Sequence, residues 1–152
     1  MIRQILVPLD GSALAESVLP AAAALAGGFG ARVTLLHIVE ERPPGTIHGQ
    51  PHLTDADRAQ AYLEEVARRP LFRDRVVDVH VHLPQAGDVA ESVVDHAREL
   101  GADLVVLSTH GKSGLRGFLF GSIAMRALQR GTTPILLVNP TATGEAPPFV
   151  CR

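Results

Sequence analysis

The chain has 152 residues, of which 46% are hydrophobic and 20% charged, a composition typical of one globular domain and not of a disordered chain. Its formal net charge is −2 at pH 7, which argues against a protein that binds nucleic acid through bulk positive charge. Aromatic residues make up only 4% of the chain and Trp is absent, so we expect an aliphatic core.

Three features of the sequence favour a soluble cytoplasmic protein. The single cysteine, Cys151, has no partner for an intramolecular disulfide, as expected in a reducing compartment. No apolar run approaches the ~20 residues of a membrane span. The apolar residues near the N-terminus are interrupted by Pro8 and Asp10, so no signal peptide is expected. We therefore expect neither a membrane nor a nucleic acid as partner.

The chain opens with a pattern that predicts two parallel strands. Residues 2–9 are mostly apolar and predict the first strand, which ends in the turn-forming sequence Asp10-Gly11-Ser12. Ser12 is a suitable cap for a following helix. Residues 33–39 are apolar almost throughout and predict the second strand. A strand, helix and strand in this order favour a right-handed crossover and a parallel pair.

The helix between these strands is predicted over residues 13–26, with a kink at Pro20. It is expected to stop at Gly27-Gly28 and Gly30. After the second strand, residues 40–53 contain three prolines and two glycines, which predict an exposed loop.

The second half of the chain continues the alternation of helices and strands. Thr54 and Asp57 resemble a capping box, so a helix is predicted from there to about Arg69. Residues 77–83 alternate strictly between apolar and polar, as in a half-buried strand at a sheet edge. The next helix is predicted to start at Asp88. Its buried face is predicted to comprise Val89, Val93, Ala97 and Leu100.

The last elements predicted are a buried strand at residues 104–107, a helix at 121–131 and a buried strand at 135–138. Five strands alternating with helices of 10–15 residues predict a five-stranded, parallel, doubly wound α/β domain. This domain covers residues 1–140, and residues 141–152 are predicted to be a loose tail.

A loop rich in glycine joins the last two predicted strands through the last helix. Residues 108–121 contain four glycines and two bases, Lys112 and Arg116. A flexible loop that enters a helix directly after a strand is suited to anions, because backbone N–H groups and the helix dipole face the same gap. A Walker A motif is excluded, since its first glycine would fall on Val106 in the strand. The dinucleotide fingerprint is excluded because no G-x-G step is present.

The spacing of this loop resembles the universal stress protein family in its ATP-binding branch. The family pattern G-x-x-G-x9-G-[ST] reads here as Ser108-Thr109-His110-Gly111, nine residues, and Gly121-Ser122. The one departure is Ser108, which stands where the pattern has its first glycine. The resemblance implies a Rossmann-like sheet with strand order 3-2-1-4-5. This order agrees with an alternating third strand at the edge.

The resemblance also implies a site for ATP with Mg²⁺. Residues that match Leu9, Asp10 and Ile38 hold the adenosine end. Those that match Gly111, Gly121, Ser122 and Ile123 hold the phosphates. In doubly wound sheets, ligands bind at the carboxyl ends of the strands, where the strand order reverses. The predicted binding residues are Pro8, Leu9, Asp10, Ile38, Leu107, Ser108, Gly111, Lys112, Arg116, Gly121, Ser122 and Ile123.

Each of these residues also has a purely structural interpretation. Asp10 is a common turn former, Gly121-Ser122 could simply begin a helix, and Lys112 and Arg116 could be solvated. His80 and His82 share a strand face, and with His37 they suggest at most a weak metal hypothesis, because zinc needs three or four converging ligands. We therefore predict no protein metal site.

Three classes of function remain open. The first is a nucleotide-binding regulatory protein of the universal stress type, without a catalytic residue. The second is a slow ATPase or an adenylate-forming enzyme, although the loop contains no carboxylate or Gln to position an attacking water. The third is a nucleotide-free interaction module, which Ser108 favours.

A homodimer is expected through the last strand. Residues 135–138 are apolar on both faces and, in the family's strand order, lie at a sheet edge. Natural proteins cover or blunt such edges. The same strand of a second copy, paired antiparallel about a two-fold axis, would cover it, and the resemblance implies the same partner. The alternative is that the tail from Thr141 to Arg152 folds back over the edge, which the prolines of the tail disfavour.

Overall fold

The computed structural model describes residues 1–40, 46–47, 50–51, 53–83, 88–109 and 122–139. The strands are β1 (Gln4–Pro8), β2 (Arg32–Ile38), β3 (Thr46–Ile47), β4 (Gln50–Pro51), β5 (Val77–His82), β6 (Leu104–Ser108) and β7 (Ile135–Val138). The α-helices are α1 (Ala13–Glu16), α2 (Leu19–Phe29), α3 (Ala56–Ala67), α4 (Val89–Glu99) and α5 (Ser122–Arg130). One 3-10 turn, Pro70–Phe72, follows α3.

Five strands form one parallel sheet in the order β5-β2-β1-β6-β7. Counted along the chain without the two short strands, this is the predicted order 3-2-1-4-5, so the predicted fold class is confirmed. Strand β1 is central, and Ile5 pairs with Val33 of β2 on one side and Leu104 of β6 on the other. The short strands β3 and β4 form a separate antiparallel pair within the segment predicted as a loop.

The core lies in two layers, one on each face of the sheet, because β1, β2 and β6 are covered on both sides. Ile5, Leu35 and Val106 face the layer that includes α2 and α3, whereas Leu6 and Leu36 face α4 and α5. All five of these side chains are fully buried. Both layers are almost purely aliphatic, as the composition predicted. Within the described part of the chain, no helix combines the length and apolarity needed to cross a membrane.

The first helical region differs from the prediction of one kinked helix. The chain forms two helices, because regular α-helix is interrupted between Glu16 and Leu19, ahead of Pro20. Pro20 lies in the first turn of α2, where its missing N–H is not needed. The predicted stop at Gly27-Gly28 is wrong, since α2 continues to Phe29. It ends at Gly30, whose φ of 65° is the left-handed conformation that glycine adopts without a Cβ penalty.

Two details of the second half also differ from the predictions. The N-cap of α3 is Asp55, not Thr54, and its carboxylate accepts a hydrogen bond from the Arg58 N–H at 2.9 Å. Leu100 was predicted on the buried face of α4, but it follows the last helical residue and is 38% exposed. Asp88 caps α4 as predicted, with its Oδ1 accepting from the Ala90 N–H at 3.1 Å.

Strand β5 lies at an edge of the sheet, as predicted. Its apolar and polar residues alternate because its two faces have different surroundings. Val77, Val79 and Val81 pack on the α2–α3 layer. His80 and His82 point to the other face, where their ring centroids lie 5.0 and 4.5 Å from that of His96 on α4. His96 is buried, and its Nδ1 lies 2.7 Å from the Ser92 carbonyl oxygen, which requires a proton on Nδ1. Three imidazoles therefore share one small space.

This cluster should make the fold sensitive to acid. Burial, followed by repulsion from His96, lowers the pKa of both His80 and His82, and only Glu99 opposes this. Well above about pH 6.5 both rings are neutral in the folded and in the unfolded chain, so their titration does not change the free energy of unfolding. As the pH falls through that range, His80 and His82 bind protons more readily in the unfolded chain than in the native cluster. The free energy of unfolding therefore falls.

We expect the double variant His80→Gln/His82→Gln to lose less stability than wild type between about pH 7 and pH 5. Urea unfolding at several pH values measures this slope, and the comparison at about pH 8 controls for any packing change caused by the substitutions. Parallel curves for variant and wild type would show that the cluster does not couple protonation to folding.

Candidate functional site

The carboxyl ends of β2, β1 and β6 lie side by side at the point where the strand order reverses. From β1 the chain crosses to β2 through α2 on one face, and from β6 it crosses to β7 through α5 on the other face. In doubly wound sheets this point is where ligands bind. We call the space between the turn Leu9–Ser12 and the N-terminus of α5 the switch-point crevice.

The turn after β1 is built tightly onto β2. The Leu9 N–H donates to the Leu36 carbonyl at 2.8 Å, and the Leu9 side chain is buried. Asp10 Oδ1 accepts from the Ser12 N–H at 2.8 Å, which is the turn-forming role the sequence allowed. Gly11 has φ of 85°, and Ser12 Oγ caps α1 by accepting from the Ala15 N–H at 3.1 Å. The Asp10 carboxylate is therefore held just beyond the carboxyl end of β1.

The described residues bring together half of the predicted binding set. Pro8 ends β1 and is followed by Leu9 and Asp10, Ile38 ends β2, and Leu107 and Ser108 end β6. These six residues therefore lie at the same edge of the sheet. Ile123, in the first turn of α5, is 37% exposed. Ser122 begins α5, as predicted for the helix start. Gly111, Lys112, Arg116 and Gly121 lie outside the described residues, and their roles stay predictions.

His37 also contributes to the crevice, although the sequence analysis placed it only in the weak metal hypothesis. It is 1% exposed, its Nδ1 lies 2.8 Å from the Leu9 carbonyl oxygen, and its Nε2 lies 3.0 Å from that of Leu53. His80 and His82 point to the opposite face of the sheet. In the described part of the chain, no group of three or more His, Cys, Asp or Glu is arranged to hold a metal.

Helix α1, which follows the turn, is fastened to α3 by one carboxylate. Glu16 accepts hydrogen bonds from the Tyr62 hydroxyl at 2.9 Å and from the Arg69 guanidinium at 2.6 and 3.3 Å. Burial raises the pKa of Tyr62, and the negative charges of Glu16 and Asp10 raise it further. The hydroxyl thus keeps its proton and remains a donor to Glu16. These hydrogen bonds fix the position of α1, which forms the wall of the crevice on the side of α3.

Helix α5, whose N-terminus faces the crevice, is fastened to α4 in a similar way. Asp88 Oδ2 lies 2.8 Å from the Arg126 guanidinium and 3.3 Å from that of Arg130. Arg130 also lies 3.7 Å from Glu91. Because Asp88 caps α4 with its other oxygen, one side chain fixes the start of α4 and the position of α5. Ala124 and Ala127, both buried, face α4 and allow the helices to approach closely.

The fold and the site together define a doubly wound α/β protein whose crevice opens at the switch point between β1 and β6. The model of the universal stress protein family matches residues 1–139, and the chain belongs to that family. The resemblance drawn from the loop spacing is therefore confirmed.

Individual relatives agree with this assignment over most of their length. The universal stress protein YxiE of Bacillus subtilis is 27% identical over 148 residues, which cover 91% of this chain and all of the relative. A solved universal stress protein from Burkholderia pseudomallei is similar with a TM-score of 0.68 and 31% identity, over 90% of this chain and 96% of that one. The universal stress protein from Archaeoglobus fulgidus in complex with dAMP shares the fold, with a TM-score of 0.63 and 22% identity over 90% of this chain and 97% of that one.

We expect Asp88→Ala to lower the free energy of unfolding by about 1–2 kcal/mol, because it removes both the cap of α4 and the ion pairs to α5. Asp88→Asn keeps an oxygen for the cap and removes only the charge, so a loss of about 0.5–1 kcal/mol is expected. Asp95→Asn is the matched control on the same helix, because its pair with Arg98 is exposed. Equal losses for Asp88→Asn and Asp95→Asn in chemical denaturation would contradict the anchoring role of Asp88.

Proposed function

We propose that this chain is a nucleotide-binding regulatory protein that binds ATP with Mg²⁺ in the switch-point crevice. The observation that carries the proposal is the meeting of three strand ends with the N-terminus of α5 at the point where the strand order reverses. An anion is favoured there by the helix dipole and by the N–H groups of the first helical turn, which have no partner within the helix itself. The loop pattern that ends in Gly121-Ser122 supports phosphate as that anion.

The two ends of the nucleotide have different surroundings in this proposal. Leu9 and Ile38 provide an apolar boundary for the adenine, and Asp10 provides a carboxylate for the ribose or for Mg²⁺. One Asp10 oxygen already accepts the Ser12 N–H, but an ionised carboxylate has about four acceptor positions, so a further ligand fits. Mg²⁺ is often held by one or two carboxylates together with the substrate phosphates. The dAMP complex of the Archaeoglobus fulgidus protein supports an adenine nucleotide as the ligand class.

The proposed activity is binding rather than turnover. Phosphoryl transfer needs a group that positions the attacking water and a cation at the γ-phosphate. Lys112 or Arg116 could provide the charge, but the loop sequence offers no carboxylate or Gln for the water. A nucleotide-free interaction module is the competing function, and Ser108 at the first motif position is the residue that favours it.

Calorimetry with ATP and Mg²⁺ tests the proposal. Gly121→Val is expected to abolish binding, because a Cβ would stand where the phosphate must approach the backbone. Ser122→Ala is expected to weaken binding by about 1.5–3 kcal/mol, or about tenfold or more, the usual value of a hydrogen bond to a charged group. Gly28→Val is the matched control, because a Cβ at Gly28 has no heavy atom within 4 Å.

Undiminished ATP binding by Gly121→Val would place the site elsewhere, and absence of binding by wild type would favour the interaction module. Phosphate release in the same samples should stay well below about 1 s⁻¹, since rates above that fall in the ordinary range of enzymes.

We also propose a homodimer through β7. The Val105 and Thr109 N–H groups donate to the Pro134 and Val138 carbonyls. By alternation, the backbone groups of Ile135 and Leu137 point away from β6, to an edge with which no other described strand pairs. The side chains of β7 pack on the two core layers, so the edge offers backbone hydrogen bonds to a second copy. Antiparallel pairing about a two-fold axis satisfies these groups in both copies.

Sedimentation velocity at micromolar concentration should give twice the chain mass. Hydrogen exchange at the Ile135 and Leu137 amides should be slow in the dimer, because these N–H groups become donors across the interface. The Asp57 amide, in the first turn of α3 where N–H groups have no partner within the helix, serves as an exposed reference away from this edge. A monomer under these conditions, with fast exchange at both edge amides, would exclude this dimer.

A further inference from the structure

His37 is a buried polar residue in a mostly apolar strand, and its ring joins two segments that are far apart in sequence. Its Nδ1 lies 2.8 Å from the carbonyl oxygen of Leu9, and its Nε2 lies 3.0 Å from that of Leu53. Carbonyl oxygens only accept hydrogen bonds, so each ring nitrogen can bond its carbonyl only when that nitrogen carries a proton. The protonated ring donates to both at once, whereas either neutral tautomer donates to one.

The bridge determines the shape of the turn after β1. The carbonyl that accepts from Nδ1 belongs to the peptide between Leu9 and Asp10, so the ring fixes the orientation of that peptide. The Leu9 N–H is itself bonded to Leu36, which leaves this residue little rotational freedom. A turn of the Leu9–Asp10 peptide would carry the Asp10 carboxylate with it. The His37 ring therefore restrains the peptide on which the position of Asp10 depends.

The second arm of the bridge positions Leu53 against the same turn. A Cβ built on Gly11 would lie 2.9 Å from Leu53 Cδ1, so the leucine side chain already covers the glycine closely. Leu53 is half-buried and immediately precedes the residues that start α3. Holding its carbonyl through Nε2 thus keeps an apolar side chain packed over the Asp10-Gly11 turn.

We propose that His37 is a positioning residue for the adenosine end of the switch-point crevice, acting through Leu9 on the direction of Asp10 and through Leu53 on the cover over Gly11. This inference rests on the proposed nucleotide binding, and it adds that the two ends of the site are positioned independently. The phosphate end depends on α5, which Asp88 anchors on the other face of the sheet. Loss of the His37 bridge should therefore reduce recognition of adenosine and leave recognition of phosphate unchanged.

Two variants separate the two arms of the bridge. In His37→Asn the amide lies near the position of Nδ1 and can still donate to Leu9, and in His37→Gln it lies near Nε2 and can still donate to Leu53. His37→Leu removes both donors. Each protein is titrated calorimetrically with adenosine, with ATP and with tripolyphosphate, and its unfolding midpoint in urea is measured in parallel.

We expect His37→Asn to bind adenosine within about threefold of wild type, and His37→Gln and His37→Leu to bind adenosine and ATP about tenfold more weakly, the scale of one or two lost hydrogen bonds. Tripolyphosphate affinity should stay within about twofold in all three variants. Rescue by Asn but not by Gln is the result that a general loss of stability would not produce.

Equal adenosine affinity in wild type and His37→Gln would overturn the positioning role. So would a parallel loss of adenosine and tripolyphosphate binding that follows the urea midpoints, because it indicates structural damage alone. If wild type binds ATP but each variant changes its affinity for adenosine and for tripolyphosphate by the same factor, this inference fails and the proposed function stands. If wild type binds neither adenosine nor ATP, both fail.

Discussion

The burial of β1 between two strands and two helical layers is the constraint on which the rest of the molecule depends. Ile5, Leu6 and Val7 have no exposed surface, so this strand can carry no polar chemistry along its length. Backbone hydrogen bonds to β2 and β6 satisfy its peptide groups on both sides. Polar function is therefore confined to the point where the strand ends, and the turn that begins at Leu9 is the first place where a carboxylate can stand.

Two half-buried carboxylates then determine where the walls of the crevice lie. Glu16 has 23% of its side chain exposed and Asp88 has 19%, so their ion pairs are less screened than those of the surface. Glu16 pairs with Arg69, which follows α3, and Asp88 pairs with Arg126 and Arg130 of α5. The sheet fixes the floor of the crevice, and these two contacts fix the two helices whose N-termini lie beside it.

Much of the fold was predictable because its causes are local. Apolar runs predicted four of the five main strands, and the alternation in residues 77–83 predicted both the fifth, β5, and its edge position. The strand order came from the resemblance carried by the loop spacing. The break before Pro20 and the passage of α2 through Gly27-Gly28 were not predictable, because local propensity does not show which glycine needs the left-handed conformation. At the site, the strand-end residues were predicted, whereas His37 was not, since its role depends on a contact with Leu53, 16 residues away.

The two helical layers have a mechanical consequence for the crevice. Helix α1 is bound to α3 on one face of the sheet, and α5 is bound to α4 on the other, while the strands between them are locked in register. Neither wall can move alone without breaking a half-buried ion pair. A change in the width of the crevice therefore requires a rigid displacement of a whole pair of helices over the sheet, in the manner of a shear motion. The wall formed by α1 and the wall formed by α5 would then move independently. Each would respond to forces that act on the helices of its own face of the sheet.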